Sequence, residues 1–499
     1  MPLQKQINEI LDTHYNDVSV YKNYGQKFIH FAKSGTHQFF AHEIALIDTP
    51  IFQRLRYISQ LGLAYNVFPT ARHSRFEHSL GVTAMIDRMW AALSKNNEFA
   101  NVDSKEIKDY YTIRFAALLH DIGHGPFSHL SEIIIREIPD IKYYIDKMGC
   151  KPHELISYYM VRSNLFEHIF DDISKFYDVE LDQNEISNYI IGRSDSPDKQ
   201  YLADLLNGQF DADKLDYFVR DSYFSGYQVS VGVDRLLFAL GIDDVNVCGK
   251  NQKRLIVHYR GIQPLQDIII AKTQMICNIY NHQKLRAIEH TLVPLLRRVI
   301  SEEVNVYDKK ISSPLDLIVI DDSDILNIYH TKDETIRKVC KLLKLRQFMK
   351  RALVISLRTI ENVDDPDVSF NFNQMWKYSE NIFELNVELR DYINKNNKEC
   401  TEFDVALDLP PTPNLSEATH KFIKMNDDYQ SLHEFINIES FNAFILKEWK
   451  GHIYSIESNR EMAQIKGKQF LEERFDIKFN SMAQSGAKLI KDPLLRNKD

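Results

Sequence analysis

At 499 residues the chain is too long for one simple core, so a large domain with one or more appendages is expected. Hydrophobic residues make up 44% and charged residues 26%, as in folded globular proteins, and a net charge of -9 with a pI near 6.1 excludes a basic nucleic-acid coat. Net charge says nothing about pockets, so a local cationic site for phosphates stays open.

Five scattered cysteines (Cys150, Cys248, Cys277, Cys340, Cys400) without a C-x-x-C spacing speak against a disulfide framework or a structural zinc site and fit a reducing compartment. The start, MPLQKQINEI, lacks the apolar centre of a secretory signal, and no apolar run approaches the ~20 residues that span a bilayer. A cytoplasmic chain with no membrane partner is expected.

In chain order, a polar helix precedes KFIHFAKSGTHQFFAHEIALID, whose alternation and Gly35 predict a small hairpin before a helix. TPIFQRLRYISQLG predicts a helix, with Thr49 and Pro50 at its start and Phe52, Leu55 and Ile58 at helical spacing. EHSLGVTAMIDRMWAALSKN reads as a long helix. IRFAALLHDIG is apolar nearly all round, hence a buried central helix, broken by Gly123, Gly125 and Pro126. Further helices run to about residue 240, with a surface loop at RSDSPDK, and VNVCGKNQKRLIVHY predicts a second hairpin. Helix resumes from Pro264 to Ile300. SSPLDLIVIDDSD reads as an acidic loop, residues 332–351 as a basic amphipathic helix, RALVISLRTI as a strand, and 408–414 (DLPPTPN) as a linker. The basic face of that helix is open to an effector phosphate, a nucleic acid or solvent.

Three stretches carry chemistry: RFEHS around His78, LLHDIGHGPFSH over 118–129, and DADKLDYFVRD over 211–221. His120 and Asp121 end a buried helix, where an unpaired carboxylate is costly and a divalent metal is one suitable partner. His78 and Asp213 complete a mixed nitrogen and oxygen set suited to Mg, Mn, Fe, Co or Zn. Alone, the His-Asp pair has an ordinary explanation as a helix cap with an ion pair. His124, His129 and His153-Glu154 nearby make that explanation insufficient, because so many histidines are hard to satisfy in an apolar setting.

In these contexts the H…HD…D pattern resembles the HD-domain deoxynucleoside triphosphate triphosphohydrolases, from about Asp48 to Leu292. The resemblance implies a mainly α fold: an HD-domain helical core with small β-hairpins and a mixed α+β C-terminal region. It implies His78, His120, Asp121 and Asp213 as metal ligands, and attack at the α-phosphorus that releases a deoxynucleoside and intact triphosphate. Arg75, His124, His129, Lys214 and Tyr217 fall at the family's phosphate contacts. His129 is also the expected proton donor, oriented by Glu132, with His153 in the same network. Ordinary alternatives stand beside these: Lys214 as a solvated charge, Tyr217 and Phe218 as core, Arg75 paired with Glu77 or another carboxylate.

Sugar and base contacts are implied for Gln60, Leu61, Asp221 and Tyr280, a tyrosine under the ribose excluding a 2'-hydroxyl. Lys272 and Asn281 stand where an animal member of that family carries arginine and glutamine, which alters reach and fork geometry and leaves base preference open. Asp48, Gln53, Arg56 and Arg235 match contacts to an activating nucleotide, which would assemble a homo-oligomer, a dimer or tetramer. The alternative for those arginines is to tie helices together through carboxylates. The expected organisation is an N-terminal segment over 1–47, a catalytic core over 48–325, a helical and β extension over 326–407, the 408–414 linker, and a helical region over 415–499. Two other functions compete: an HD-type phosphodiesterase or nucleotidase, and a nucleotide- or nucleic-acid-binding regulator with a vestigial site.

Overall fold

The computed structural model describes residues 2–96, 107–247, 249–307, 309–328, 330–395, 399–411, 421–425, 428–437, 445 and 449–485. The fold is mainly helical, with small sheets of two to four strands. Two compact units are present. The first comprises 1–275, 296–333 and 415–437; the second comprises 276–295, 334–414 and 438–499.

Five helices of the first unit build the site: α1 (Arg75–Lys95), α2 (Ile107–Leu119), α3 (His129–Ile135), α4 (Pro152–Val161) and α5 (Ala212–Ser225). Ser74 caps α1, and Glu77 returns to the Ser74 amide (3.3 Å), so the reciprocal box fixes where His78 begins its turn. The aliphatic residues of α2 from Ile113 to Leu119 are all buried, as the composition of that stretch predicts. Gly123 lets α2's exit pass against α4: a Cβ there would lie 2.6 Å from both the His153 carbonyl oxygen and the Ser157 amide nitrogen. The chain then turns through Phe127 (φ 59°) and Ser128 (φ 56°), left-handed conformations that non-glycine residues adopt at a cost of about 1–3 kcal/mol each.

The predicted hairpins form as Lys27–Phe31 with Gly35–Phe39 and as Leu240–Val247 with Lys250–His258. The second grows into a four-stranded sheet: Lys421–Met425 adds parallel to Lys250–His258, and Asp428–Ser431 adds antiparallel to it. In the second unit Gly451–Ser455 lies between Lys350–Ile355 and Val405–Asp408, antiparallel to both. Leu353, Leu407, Ile453, Leu471 and Phe479 centre its core.

Several elements differ from the sequence expectation. The helix after Thr49 is one α turn, Pro50–Gln53, and one 3-10 turn, Arg54–Tyr57. It stops because the following residues pair with the entry to α1: Ser59 bridges Ser74, and the Arg75 amide donates to the Ile58 carbonyl. The acidic loop is two short helices, Pro314–Val319 and Asp322–Leu326, whose N-termini are capped by Ser313 and Asp321. The basic helix spans only Glu334–Lys344, since Arg346 takes a left-handed conformation (φ 59°) before the strand at Lys350. The proline-rich stretch is anchored at its start: Asp408 ends a buried strand and binds Arg286 and His290, and the Pro410 carbonyl accepts from the indoles of Trp376 (3.1 Å) and Trp449 (2.8 Å). Residues 412–414 lie outside the described residues. Beyond 415, strands as well as helices occur, and the two units share that stretch. No helix among the described residues is long and apolar enough to cross a membrane.

Candidate metal centre and active site

Three helix termini converge on one buried point. His78 lies in the first turns of α1, His120 and Asp121 follow the last residue of α2, and Asp213 is the second residue of α5. His78 Nε2 stands 2.9 Å from Asp213 Oδ1 and 3.7 Å from Asp121 Oδ2; His120 Nε2 stands 3.5 Å from Asp121 Oδ1 and 3.9 Å from Asp213 Oδ1. One ligand atom each from His78, His120 and Asp121 lies within 4.8 Å of the others. His120 Nε2 is buried and has no hydrogen-bond partner among the described residues, while its Nδ1 meets the Ala117 carbonyl oxygen (2.7 Å). A buried nitrogen left open toward two carboxylates is costly in an apolar interior and is the arrangement a cation completes. The donor set thus fits a divalent metal.

Burial opposes charge on Asp121 and Asp213, yet Arg75 and His120 hold the first well below the usual carboxylate range, and His78 lowers the second. Burial lowers the His120 pKa, which leaves a neutral ring. His78 is opposed by burial, but hydrogen bonds to Asp213 and Asp216 push it up to about 10.

A second cluster adjoins the first. Glu132 Oε1 faces His129 Nδ1 (2.7 Å), His153 Nδ1 (3.0 Å) and His124 Nδ1 (3.3 Å). Burial opposes the Glu132 charge, and His153 with His129 holds its pKa well below the usual range. Burial, Arg75 and His153 push His124 far down, so it is neutral, whereas Glu132 overcomes burial to raise His153. The His129 side chain is 66% exposed, against 0% and 5% for His124 and His153, so His129 is the member open to an incoming group. Arg75 spans the clusters, donating to Asp121 Oδ2 (2.8 Å) and Ser128 Oγ (2.9 Å) and standing 3.3 Å from His129 Nε2. Lys214 binds Asp211 and the Gly208 carbonyl oxygen (2.9 Å). Both cations expected at phosphates therefore hold carboxylates in this structure.

Gln60 is buried, with its Oε1 unpartnered among the described residues, and Leu61 follows it, half-buried, in a turn. Asp221 is buried against His73 Nε2 (2.8 Å), and the half-buried Tyr217 ring lies 4.5 Å from that of Phe218. Lys272 belongs to the first unit's helix Ile262–Met275, whereas Tyr280 and Asn281 belong to the second unit, Tyr280 closing a π-helical turn. Asp48, Arg56 and Arg235 line one cavity of about 830 Å³. Gln53 braces that wall, donating to the Ile47 carbonyl (2.7 Å) and accepting from Arg56 Nε (2.6 Å).

Sequence reasoning missed the supports. His73 holds Asp221, and Asp216 accepts from His78 Nδ1 (2.8 Å). Asp322 accepts from the amides of Phe127 (2.6 Å) and Ser59 (3.0 Å), which steadies the left-handed turn into α3. Buried Arg54 donates to the carbonyls of Ile320, Ile122 and His124. Lys151 pairs with Glu154 (3.1 Å); Glu154, then burial, then Asp213 dominate its environment, with the net effect of raising its pKa. Asp216 alone had a local signal, one helical turn after Asp213. His73, Asp322 and Arg54 act across long sequence separations.

These features form a buried, helix-borne cluster of histidines and carboxylates that could hold a divalent metal. Residues 75–220 match the HD domain and residues 245–481 the HD associated region, and the chain belongs to the HD-domain family. It is 33% identical over 260 residues to the deoxynucleoside triphosphate triphosphohydrolase SAMHD1 of Bos taurus, covering 48% of this chain and 41% of that one. The SAMHD1 homolog of Dictyostelium discoideum is 28% identical over 302 residues, covering 60% and 54%. An uncharacterized protein of Methanocaldococcus jannaschii is 27% identical over 417 residues, covering 83% and 75%. The matches to the first of these relatives span about half of their length. A hypothetical protein from Aquifex aeolicus shares the fold, with a TM-score of 0.60 at 24% identity over 89% of this chain and 100% of that one.

Proposed function

We propose that the chain is a metal-dependent deoxynucleoside triphosphate triphosphohydrolase: water attacks the α-phosphorus, the bond from that phosphorus to the 5'-oxygen breaks, and deoxynucleoside and triphosphate leave. The observation that carries this reading is the convergence of His78, His120, Asp121 and Asp213 beside the Glu132-centred histidine cluster. The SAMHD1 relatives, whose name states this activity, support the substrate class.

His78, His120, Asp121 and Asp213 would hold the metal. When bound, a divalent cation supplies Lewis acidity at the phosphoryl group and lowers the pKa of attacking water. Glu132 holds His129 through Nδ1, which leaves Nε2 to give a proton to the departing 5'-oxygen. Arg75 lies within reach of both clusters and can exchange part of its contact with Asp121 for substrate phosphate. Lys214 and Tyr217, on α5 with Asp213, add a cation and a hydroxyl. Tyr280 would exclude a 2'-hydroxyl, and Gln60, Leu61, Asp221, Lys272 and Asn281 would meet sugar and base.

We further propose nucleotide activation at the 830 Å³ cavity, because Asp48, Arg56 and Arg235 share it, in a homo-oligomeric enzyme. Incubation of the purified chain with Mg or Mn and each dNTP, singly and in pairs, tests both readings. Deoxynucleoside and intact triphosphate are the expected products, with hydrolysis rising in a mixed pair. Release of orthophosphate, or of monophosphate and pyrophosphate, refutes the triphosphohydrolase reading. His129→Ala should lower kcat by about 10²–10⁴ while metal content, read by elemental analysis, stays at the wild-type level.

A further inference from the structure

His78 is gripped on both ring nitrogens. Nε2 faces Asp213 in the ligand cluster (2.9 Å), and Nδ1 faces Asp216 Oδ2 (2.8 Å). Asp213 and Asp216 stand three residues apart on α5, so one helix face presents both carboxylates to the same imidazole.

Asp216 is itself held by Arg220, one turn further along. Arg220 Nε donates to Asp216 Oδ2 (2.8 Å) and Nη2 to Oδ1 (2.9 Å), a two-point fork with both side chains less than 10% exposed. The facing helix is shaped around this pair. At Gly81, one turn beyond His78 on α1, a Cβ would lie 2.0 Å from Arg220 Nη2 and 2.2 Å from Asp216 Oδ1. Alanine therefore cannot occupy position 81 unless the fork moves. Arg220 and Asp216 also form part of the wall of the 830 Å³ cavity, where the guanidinium carbon lies 5.6 Å from the centre of the Phe31 ring.

We infer that Asp216 is a positioning residue of the metal centre, locked by Arg220 in the space that Gly81 leaves, so that a change at the cavity wall reaches ligand His78 through two hydrogen bonds. Asp216 keeps the proton on Nδ1 and fixes the ring plane, so that Nε2, which faces Asp213 and Asp121, is the nitrogen that would be offered to the metal. A carboxylate behind a ligating histidine commonly strengthens metal affinity by about 10–100-fold. Arg220 matters to the metal only through Asp216, since both of its hydrogen bonds among the described residues go to that carboxylate.

The inference rests on the metal reading of the preceding section, and one titration separates the two. Co²⁺ is added to the purified full chain and followed by its visible absorption, with thermal unfolding of the metal-free proteins as the check on folding. Wild type should bind Co²⁺ and Asp121→Ala should not. Asp216→Asn and Arg220→Met should bind about 10–100-fold more weakly with a shifted absorption band, a change that a purely structural role would not produce. Arg220→Lys, which keeps the charge and loses the fork, should fall between Arg220→Met and wild type and covers the case of a poorly folded Arg220→Met. Gly81→Ala should resemble Asp216→Asn. Wild-type affinity and spectrum in Asp216→Asn and Arg220→Lys, with binding lost in Asp121→Ala, overturn the positioning role and leave the metal centre standing. Equal binding by wild type and Asp121→Ala, or none by wild type, overturns the metal reading and the positioning role with it.

Discussion

Replacing Gly123 by alanine probes how closely α2's exit must approach α4. The added Cβ would meet the His153 carbonyl oxygen and the Ser157 amide nitrogen at 2.6 Å and Ile156 Cβ at 2.9 Å. Two of the three neighbours are backbone atoms, so no side chain can swing aside and the helix must shift. Overpacking of this kind costs about 1–3 kcal/mol. The shift also strains the hydrogen bonds from the Gly123 amide to Ser157 Oγ (2.9 Å) and from that hydroxyl to the His120 carbonyl (2.7 Å), each worth about 0.5–1.5 kcal/mol net. A loss of about 2–4 kcal/mol is expected in urea unfolding followed by a probe in the first unit. Because α4 carries His153, 3.0 Å from Glu132, kcat should fall as well. Ser157→Ala removes both hydrogen bonds without filling the gap and serves as the reference. Gly123→Ala within about 0.5 kcal/mol of wild type, or no worse than Ser157→Ala, would refute the close-approach argument.

Asp322 should make first-unit stability depend on pH. Burial pushes its pKa up to about 6 from 3.8, and the amides of Phe127 and Ser59 only partly counter that. The folded state therefore holds the proton more tightly than the unfolded one, so this group adds stability as pH falls through 6 and withdraws it as pH rises. Between pH 7 and pH 5 the stability difference between wild type and Asp322→Asn should shift by about 1 kcal/mol in favour of wild type at the lower pH. A difference that stays constant over that interval in urea titrations would show that the carboxylate does not titrate there.

Much of the site's first layer was readable along the chain. A helix that is apolar nearly all round in its last turns and runs into His120-Asp121, two glycines and a proline marks a buried helix terminus, because local propensity and burial pattern suffice to specify it. His78 and Asp213 stood out through the motifs around them. The supporting layer was not readable. Asp322 reaches Phe127 across 195 residues and His73 reaches Asp221 across 148, and no local pattern encodes such pairings. The charge-dense stretch before residue 325 resembled a loop, yet its aspartates cap short helices and one, Asp322, is buried against the turn at Phe127. Lys421–Met425 likewise reads as an ordinary short segment until Lys250–His258 provides its partner strand.

By itself, then, the sequence determined the helical character, the order of the candidate ligands and the chemistry their side chains can perform. Those properties follow from side-chain type and helical period, which act over a few residues. Only the tertiary structure decided that Asp216 and Arg220 stand behind His78, that Arg75 bridges the ligands and the acid cluster, and that the C-terminal segments divide between two units. Each of these depends on closing loops of tens to hundreds of residues, and the free energy of such contacts resides in burial and pairing that appear only once the chain is folded.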